Sequence, residues 1–334
     1  MSIAQDPTLQ FIVPPPCAGQ SLRIFLGDSM PLEPEDFIRQ LIKAGRARLN
    51  GQPAVGKHPL AAGDVIVVDG LEAERKNYTT ESVRSDVLHE DPDLIILNKP
   101  PGCTVVRERH SDLCPFQNGV LDHLRRSPES VAAALRDRYR PRAVHRLDRD
   151  TTGAIVVAKS RAAELRLFKQ FQERTVLKEY LAVVHGAPAE DGGAIDAAIA
   201  ESAGDLERME IHPRKGRPSQ TAWEVVERFR AHALILARPR TGRRHQIRIH
   251  LAHIGLPIIG DRVYGGGAQL LLSTIKRGFR TRGGQEEKPL ISRPALHARA
   301  LTFLPVGRDE PLRVEAPLPR DMETLLKMLR KYAT

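Results

Sequence analysis

His145-Arg146-Leu147-Asp148-Arg149-Asp150-Thr151-Thr152-Gly153 runs straight into Ala154-Ile155-Val156-Val157-Ala158. A charged, glycine-ended turn followed by an apolar, β-branched run predicts a loop that opens a buried strand. Such a loop holds polar side chains at a sheet edge, where functional groups commonly sit. Asp148 lies between Arg146 and Arg149, which favours its ionised form and suits a nucleophile or a base. The competing reading is structural, with Asp148 and Asp150 closing Asx-turns and ion pairs.

Working outward, residues 94–97 (Leu-Ile-Ile-Leu) read as a second buried strand, stopped by Asn98-Lys99-Pro100-Pro101-Gly102. Further strands are expected at 179–184, 222–229, 233–237, 300–304 and 312–315. Helices are expected at 120–125, 130–136, 161–171, 243–254 and 322–329. Helices scattered among strands without βαβ alternation predict an α+β domain over residues 90–330, a large mixed, mainly antiparallel sheet with flanking helices. Residues 265–267 and 276–288 read as a mobile, basic, glycine-rich insertion, and the stretch 268–289 has no assigned role.

Ahead of that domain, residues 1–19 read as an extended tail, 20–70 as a small α/β module, and 71–89 as a charged linker. Within the module, 21–26 starts a helix, and 35–44 continues with Phe37, Leu41 and Ile42 at helical spacing. Gly45 is the expected left-handed cap. A short strand at 46–49, the Asn50-Gly51 turn and a strand at 65–68 complete it. This order of elements, with Gly-Arg-x-Arg-Leu-Asn-Gly and Gly63-Asp64, resembles the small alpha-L RNA-binding module of ribosomal protein S-four type. The resemblance implies phosphate contacts from Arg39, Lys43, Arg46 and Arg48.

The chain has 334 residues, 51 Lys or Arg against 41 Asp or Glu, and a net charge of +10. That balance permits nucleic-acid binding. Between residues 207 and 250 eleven Lys or Arg face four Glu, and between 136 and 149 six Arg face two Asp. Arginine in such density suits bidentate contact with phosphates. Aromatic residues are only 4%, too sparse for a sheet that stacks successive bases, so structured RNA held by charge and shape is the better fit. No apolar run approaches the ~20 residues of a membrane span. Three cysteines and no signal-like N-terminus point to a reducing, cytoplasmic setting, and a monomer is expected. Nucleotide-binding glycine loops and a Gly-x-Ser-x-Gly elbow are absent from the sequence. Cys103, His110 and Cys114 make a poor metal set, so neither cofactor nor metal is expected.

Two further segments attract attention. Thr241-Gly242-Arg243-Arg244-His245-Gln246-Ile247-Arg248-Ile249-His250-Leu251 reads as a helix with Arg243 and Arg244 at its N-terminus, a plausible phosphate seat. Lys178-Glu179-Tyr180-Leu181-Ala182-Val183-Val184-His185-Gly186 reads as a strand carrying one tyrosine.

Together these segments resemble the RluA-type pseudouridine synthases, which isomerise selected uridines in ribosomal or transfer RNA. The family's His-Arg-Leu-Asp-x-x-Thr-Ser/Thr-Gly motif aligns with 145–153, Lys-x-Tyr-x-Ala-x-Val-x-Gly with 178–186, and Gly-Arg-x-His-Gln-Ile-Arg through Gly-Asp and Tyr-Gly with 242–265. Leu296-His297-Ala298-Arg299 resembles its C-terminal strand. Arg244 stands where Thr is usual and Ile249 where Val is usual. Val105-Val106-Arg107 lacks the Val-His-Pro that commonly follows the Asn-Lys-Pro turn, and 107–140 resembles nothing specific.

The resemblance implies that Asp148 is the catalytic carboxylate, acting on the anomeric carbon or on a sugar proton. The other catalytic residues it implies are Arg248, which would pair with Asp148, and Tyr180, which would stack on the flipped uracil and assist proton transfer. Arg146, Arg149, Arg243 and Arg244 would contact RNA, while Ile247 or Ile249 would wall the pocket against water. Large-subunit ribosomal RNA is the favoured substrate and transfer RNA the second. The alternatives are a non-catalytic RNA chaperone of the same fold and a nucleoside hydrolase, for which only Asp150 offers a nearby second carboxylate.

Overall fold

The computed structural model describes residues 8–78, 82–106, 114–205, 207–280 and 286–333. Its centre is a ten-stranded sheet in which two inner strands, Leu94–Lys99 and Thr152–Ala158, are apolar on both faces. Alternation divides them cleanly. Ile95, Leu97, Ile155 and Val157 enter the large core cluster, whereas Leu94, Ile96, Ala154 and Val156 pack with Leu167, Leu301 and Phe303 on the other side. The helix Arg161–Glu173 contributes Leu167 to that second layer. Burial on both faces explains why these strands read as continuous apolar runs.

From one edge eight of the strands run Gly192–Asp196, Gln220–Arg228, His232–Pro239, Leu177–His185, Leu296–Phe303, Thr152–Ala158, Leu94–Lys99 and Asp86–Glu90, with Leu312–Glu315 paired to Leu296–Phe303 and Arg142–Ala143 to Thr152–Ala158. Neighbours along this path are antiparallel except Leu296–Phe303 beside Thr152–Ala158, where His297 pairs with Thr152 and Ala298 with Gly153. That parallel pair brings both strands in from the same end, the end that carries the Asp148 loop. The approach there is close. A Cβ on Gly153, whose φ is +113°, would lie 2.2 Å from the Ala298 carbonyl oxygen. The α+β architecture, a large and mainly antiparallel sheet with flanking helices, is as expected.

Several elements differ from the sequence reading. Leu9–Ile12, expected in a tail, is an edge strand antiparallel to Val65–Val68, and Val13 is buried in the module's core. In the supposed linker, Leu71–Asn77 is a helix whose Leu71 enters that same core, and Asp86–Glu90 is the outer strand of the large sheet. The segment 268–289 is anchored, because its Leu270 and Ile275 are buried in the main core beside Ile291; residues 281–285 lie outside the described residues. Helices Pro115–Leu124 and Pro128–Asp137 give a use to part of 107–140. Arg125 donates to the Leu32 carbonyl and to Glu33, and Arg138 bonds Ser29 and covers the Phe25 ring, tying the N-terminal module to the large domain.

The module itself follows the expected order, with helices Leu22–Ser29 and Glu35–Lys43. Gly45 has a φ of +72°, and Asn50 and Gly51 take the positive φ of a tight hairpin turn. Arg39 pairs with Glu35, Arg46 with Glu74 and Asp69, and Arg48 with Asp69. Arg46 and Arg48 thus enter the module's own ion pairs while about half exposed, and Arg39 and Lys43 line a shallow groove beside Arg23.

Candidate active site

At the sheet end where Asp148 enters, a cleft of about 440 Å³ gathers the three segments singled out in the sequence. Among the described residues its cationic lining comprises Arg146, Arg174, Lys178, Arg240, Arg243, Arg244 and Arg248, against the single lining carboxylate of Asp148. Arg149 is exposed and is not among the lining residues.

The aspartate loop is fixed from beneath by two buried cations. Lys99 is fully buried and donates to the carbonyls of Pro100, Cys103 and Arg149 at 2.9, 3.0 and 2.8 Å. Burial pulls its ammonium down to about 8. Arg293 donates to the Asp150 carbonyl at 3.0 Å while Asp321 grips it bidentately at 2.8 and 2.9 Å. A backbone bond from Thr151 N–H to the Asp148 carbonyl closes the turn, at 3.1 Å. The Asp148 side chain is left to face the cleft, a fifth exposed.

Arg248 meets it there. Its Nη1 is 3.6 Å from the Asp148 carboxylate, while Nε and Nη2 reach Asp261 at 2.7 and 2.8 Å. Asp261 is fully buried and also accepts from the Val263 and Tyr264 N–H groups. Burial alone would lower the Arg248 guanidinium; the Asp261 hydrogen bonds and the Asp261 and Asp148 charges outweigh it and raise it. The Tyr264 ring lies 5.2 Å from the guanidinium, and its hydroxyl is bonded by Met209 N–H and by His245 Nδ1.

Tyr180 lies within the strand Leu177–His185, paired with Ala237 and Ala298, and its ring borders the cleft. Burial, then the nearby Asp148 charge, raises its phenol, so it stays neutral. His145 stacks on Phe171 at 4.9 Å, and its Nε2 accepts from Val156 N–H, which requires an unprotonated nitrogen there. Burial accordingly drops its pKa to about 3.

Two expectations are corrected. The helix begins at Gln246, not at 243, because His245 takes a φ of +56° and the Gln246 side chain caps Arg243 N–H at 3.0 Å. Arg243 and Arg244 therefore border the cleft from the preceding loop and do not form a helix N-terminus. Ile247 lines the cleft, but Ile249 packs away from it with Ile199, Met209 and Tyr264. Residues two apart on a helix point about 200° apart and cannot share a wall. Cys103 and Cys114 bond backbone carbonyls, and His110 lies outside the described residues.

Residues 93–253 match the RNA pseudouridylate synthase family. Over 330 residues the chain is 35% identical to the ribosomal large subunit pseudouridine synthase D of Xylella fastidiosa, covering 96% of this chain and 92% of that protein. The chain belongs to the RNA pseudouridylate synthase family. The Escherichia coli K12 protein of the same name is 32% identical over 93% of this chain and 91% of its own length. Among solved structures, human RNA pseudouridylate synthase domain containing 4 aligns at a TM-score of 0.51 and 26% identity, over 73% of this chain and 92% of that one. An RNA pseudouridine synthase acts on a polyanion and so needs a surface that holds RNA. The cleft combines one carboxylate with a cationic wall. Sequence reasoning missed the parts that hold these groups still: Asp261, quoted in a motif but given no role, and the buried clamps Lys99 and Arg293. A lysine ahead of a proline turn was the visible signal for Lys99.

Proposed function

We propose that the enzyme isomerises uridine in cytoplasmic large-subunit ribosomal RNA, with Asp148 as its catalytic carboxylate. The observation that carries this reading is the Asp148–Arg248–Asp261 chain at the floor of the cationic cleft. The target nucleotide leaves its stack and enters the cleft. Tyr180 lies along the uracil as a neutral stacking surface, and Ile247 excludes water from one side. Arg146, two residues before Asp148 and exposed at the rim, holds the displaced strand. Asp148 acts at the ribose as the N1–C1′ bond breaks. The uracil turns, C5 joins C1′, and C5 gives up the proton that N1 gains. Arg248, already anchored by Asp261, holds the carboxylate in its orientation throughout. The relatives named for the ribosomal large subunit support that RNA as the substrate.

Asp148→Asn should yield no pseudouridine in an unmodified large-subunit transcript while RNA affinity stays nearly unchanged. Product at the normal rate in that variant refutes the assignment, and free uracil released by the wild type marks a hydrolase instead. Mapping pseudouridines in total RNA with and without the gene should show a lost position in large-subunit ribosomal RNA; a loss confined to transfer RNA overturns the substrate.

A further inference from the structure

We propose that Lys178, with Arg174 beside it and Arg243 on the opposite lip of the cleft, is the seat for one phosphate of the RNA strand at the target uridine. The inference rests on the reading of the cleft as the uridine site. Lys178 and Tyr180 are two apart on one strand, so their side chains share a face, about 7 Å from each other along it. Both border the cleft. That is the spacing at which one nucleotide can lay its base on Tyr180 and its phosphate on Lys178.

The charges around Lys178 call for an anion. Its ammonium is half-buried, and its one hydrogen bond among the described residues is to the Thr241 carbonyl at 3.3 Å. Among the described residues no carboxylate acts on it; its charged neighbour is Arg174, of the same sign. Burial and that neighbour pull its pKa down to about 8, as an uncompensated cation requires. Arg174 closes the helix Arg161–Glu173 in the left-handed region, φ +62°, where glycine is the ordinary choice. From there Arg174 borders the cleft. On the opposite lip, Arg243 lines the same cleft with its Nε buried and without a hydrogen-bond partner. Uracil carbonyls and ribose hydroxyls are neutral and would leave this charge unbalanced; within a nucleotide only the phosphate carries the matching one.

The test is the salt dependence of binding to an in vitro transcript of large-subunit ribosomal RNA, for the wild type, Lys178→Met, Lys178→Arg and Arg174→Ala. Each lost phosphate contact should flatten the slope of log affinity against log salt by about 0.7–0.9 and weaken binding roughly tenfold at low salt. Lys178→Arg should keep the wild-type slope. Free Lys178→Met should melt at or above the wild-type temperature, since an unbalanced charge has been removed. An unchanged slope in Lys178→Met overturns the proposal even where activity falls, because Lys178 then meets a neutral group. A lower melting temperature also overturns it, marking a structural lysine. Pseudouridine formation by the wild type on the same transcript is scored in parallel. Its absence removes the uridine-site reading, whereas its presence with an unchanged Lys178→Met slope removes only the phosphate seat.

Discussion

Arg248 holds two carboxylates that should respond in opposite ways to the same change, and Asp261→Asn is the sharper probe. Asp261 is fully buried and receives two guanidinium hydrogen bonds at 2.7 and 2.8 Å. Removing one member of a buried ion pair costs about 3–5 kcal/mol, because the survivor is left uncompensated. Asn keeps one acceptor oxygen for the Val263 N–H, and Asp148 remains 3.6 Å from the guanidinium, so the low end, about 3 kcal/mol, applies. Unfolding entropy near 2.1 cal/mol/K per residue over the chain is roughly 0.7 kcal/mol/K, which converts that loss to a melting temperature lower by about 4 °C. Asp148→Asn breaks a longer contact at a partly exposed side chain, worth about 1 kcal/mol or less and so about 1.5 °C or less. Activity should reverse the order. Asp148→Asn abolishes product, whereas Asp261→Asn retains a residue of it, slowed about a hundredfold as Arg248 loses its bearing. Thermal denaturation and single-turnover pseudouridine formation measure the two sides. The reasoning fails if Asp261→Asn melts with the wild type, or if both variants lose the same stability.

Two other outcomes follow from the same geometry. Gly153→Ala would drive a Cβ to 2.2 Å from the Ala298 carbonyl at a φ of +113°, so it should melt well below the wild type and lose activity; normal melting would contradict the close parallel pairing. Burial holds His145 near a pKa of about 3 and His232, His245 and His297 near about 4, against about 6.5 when unfolded. Between those values the unfolded chain binds protons that the native chain refuses, so stability is lost as pH falls from about 6.5 toward 4, by up to about 1.4 kcal/mol per pH unit for each histidine. A melting temperature that stays flat from pH 7 to pH 5 would rule this out.

How much of this could be read from sequence depends on what marks each element. Leu94–Lys99 and Thr152–Ala158 are legible because strands buried on both faces must be apolar throughout. Leu9–Ile12 and Gly192–Asp196 are outer strands with a half-buried or exposed pattern, so their run carries little periodic signal. Leu71–Asn77 is rich in helix formers but contributes a single large apolar residue to the core, and its charge made it resemble a linker. In the site, the side chains that touch the cleft were recognisable because chemistry restricts them to a few residue types in order. The start of the Gln246–His253 helix was not, since it turns on one side-chain cap and one left-handed residue. The clamps were less legible still. Lys99 and Arg293 act on the carbonyls of Arg149 and Asp150, 50 and 143 residues away in the chain. Every residue offers a carbonyl, so no pattern marks which two are held. A loop that must present one carboxylate at a fixed angle to a flipped nucleotide needs such clamps more than it needs any given neighbour in sequence. Its rigidity is therefore written in tertiary contacts, while its chemistry is written in the motif.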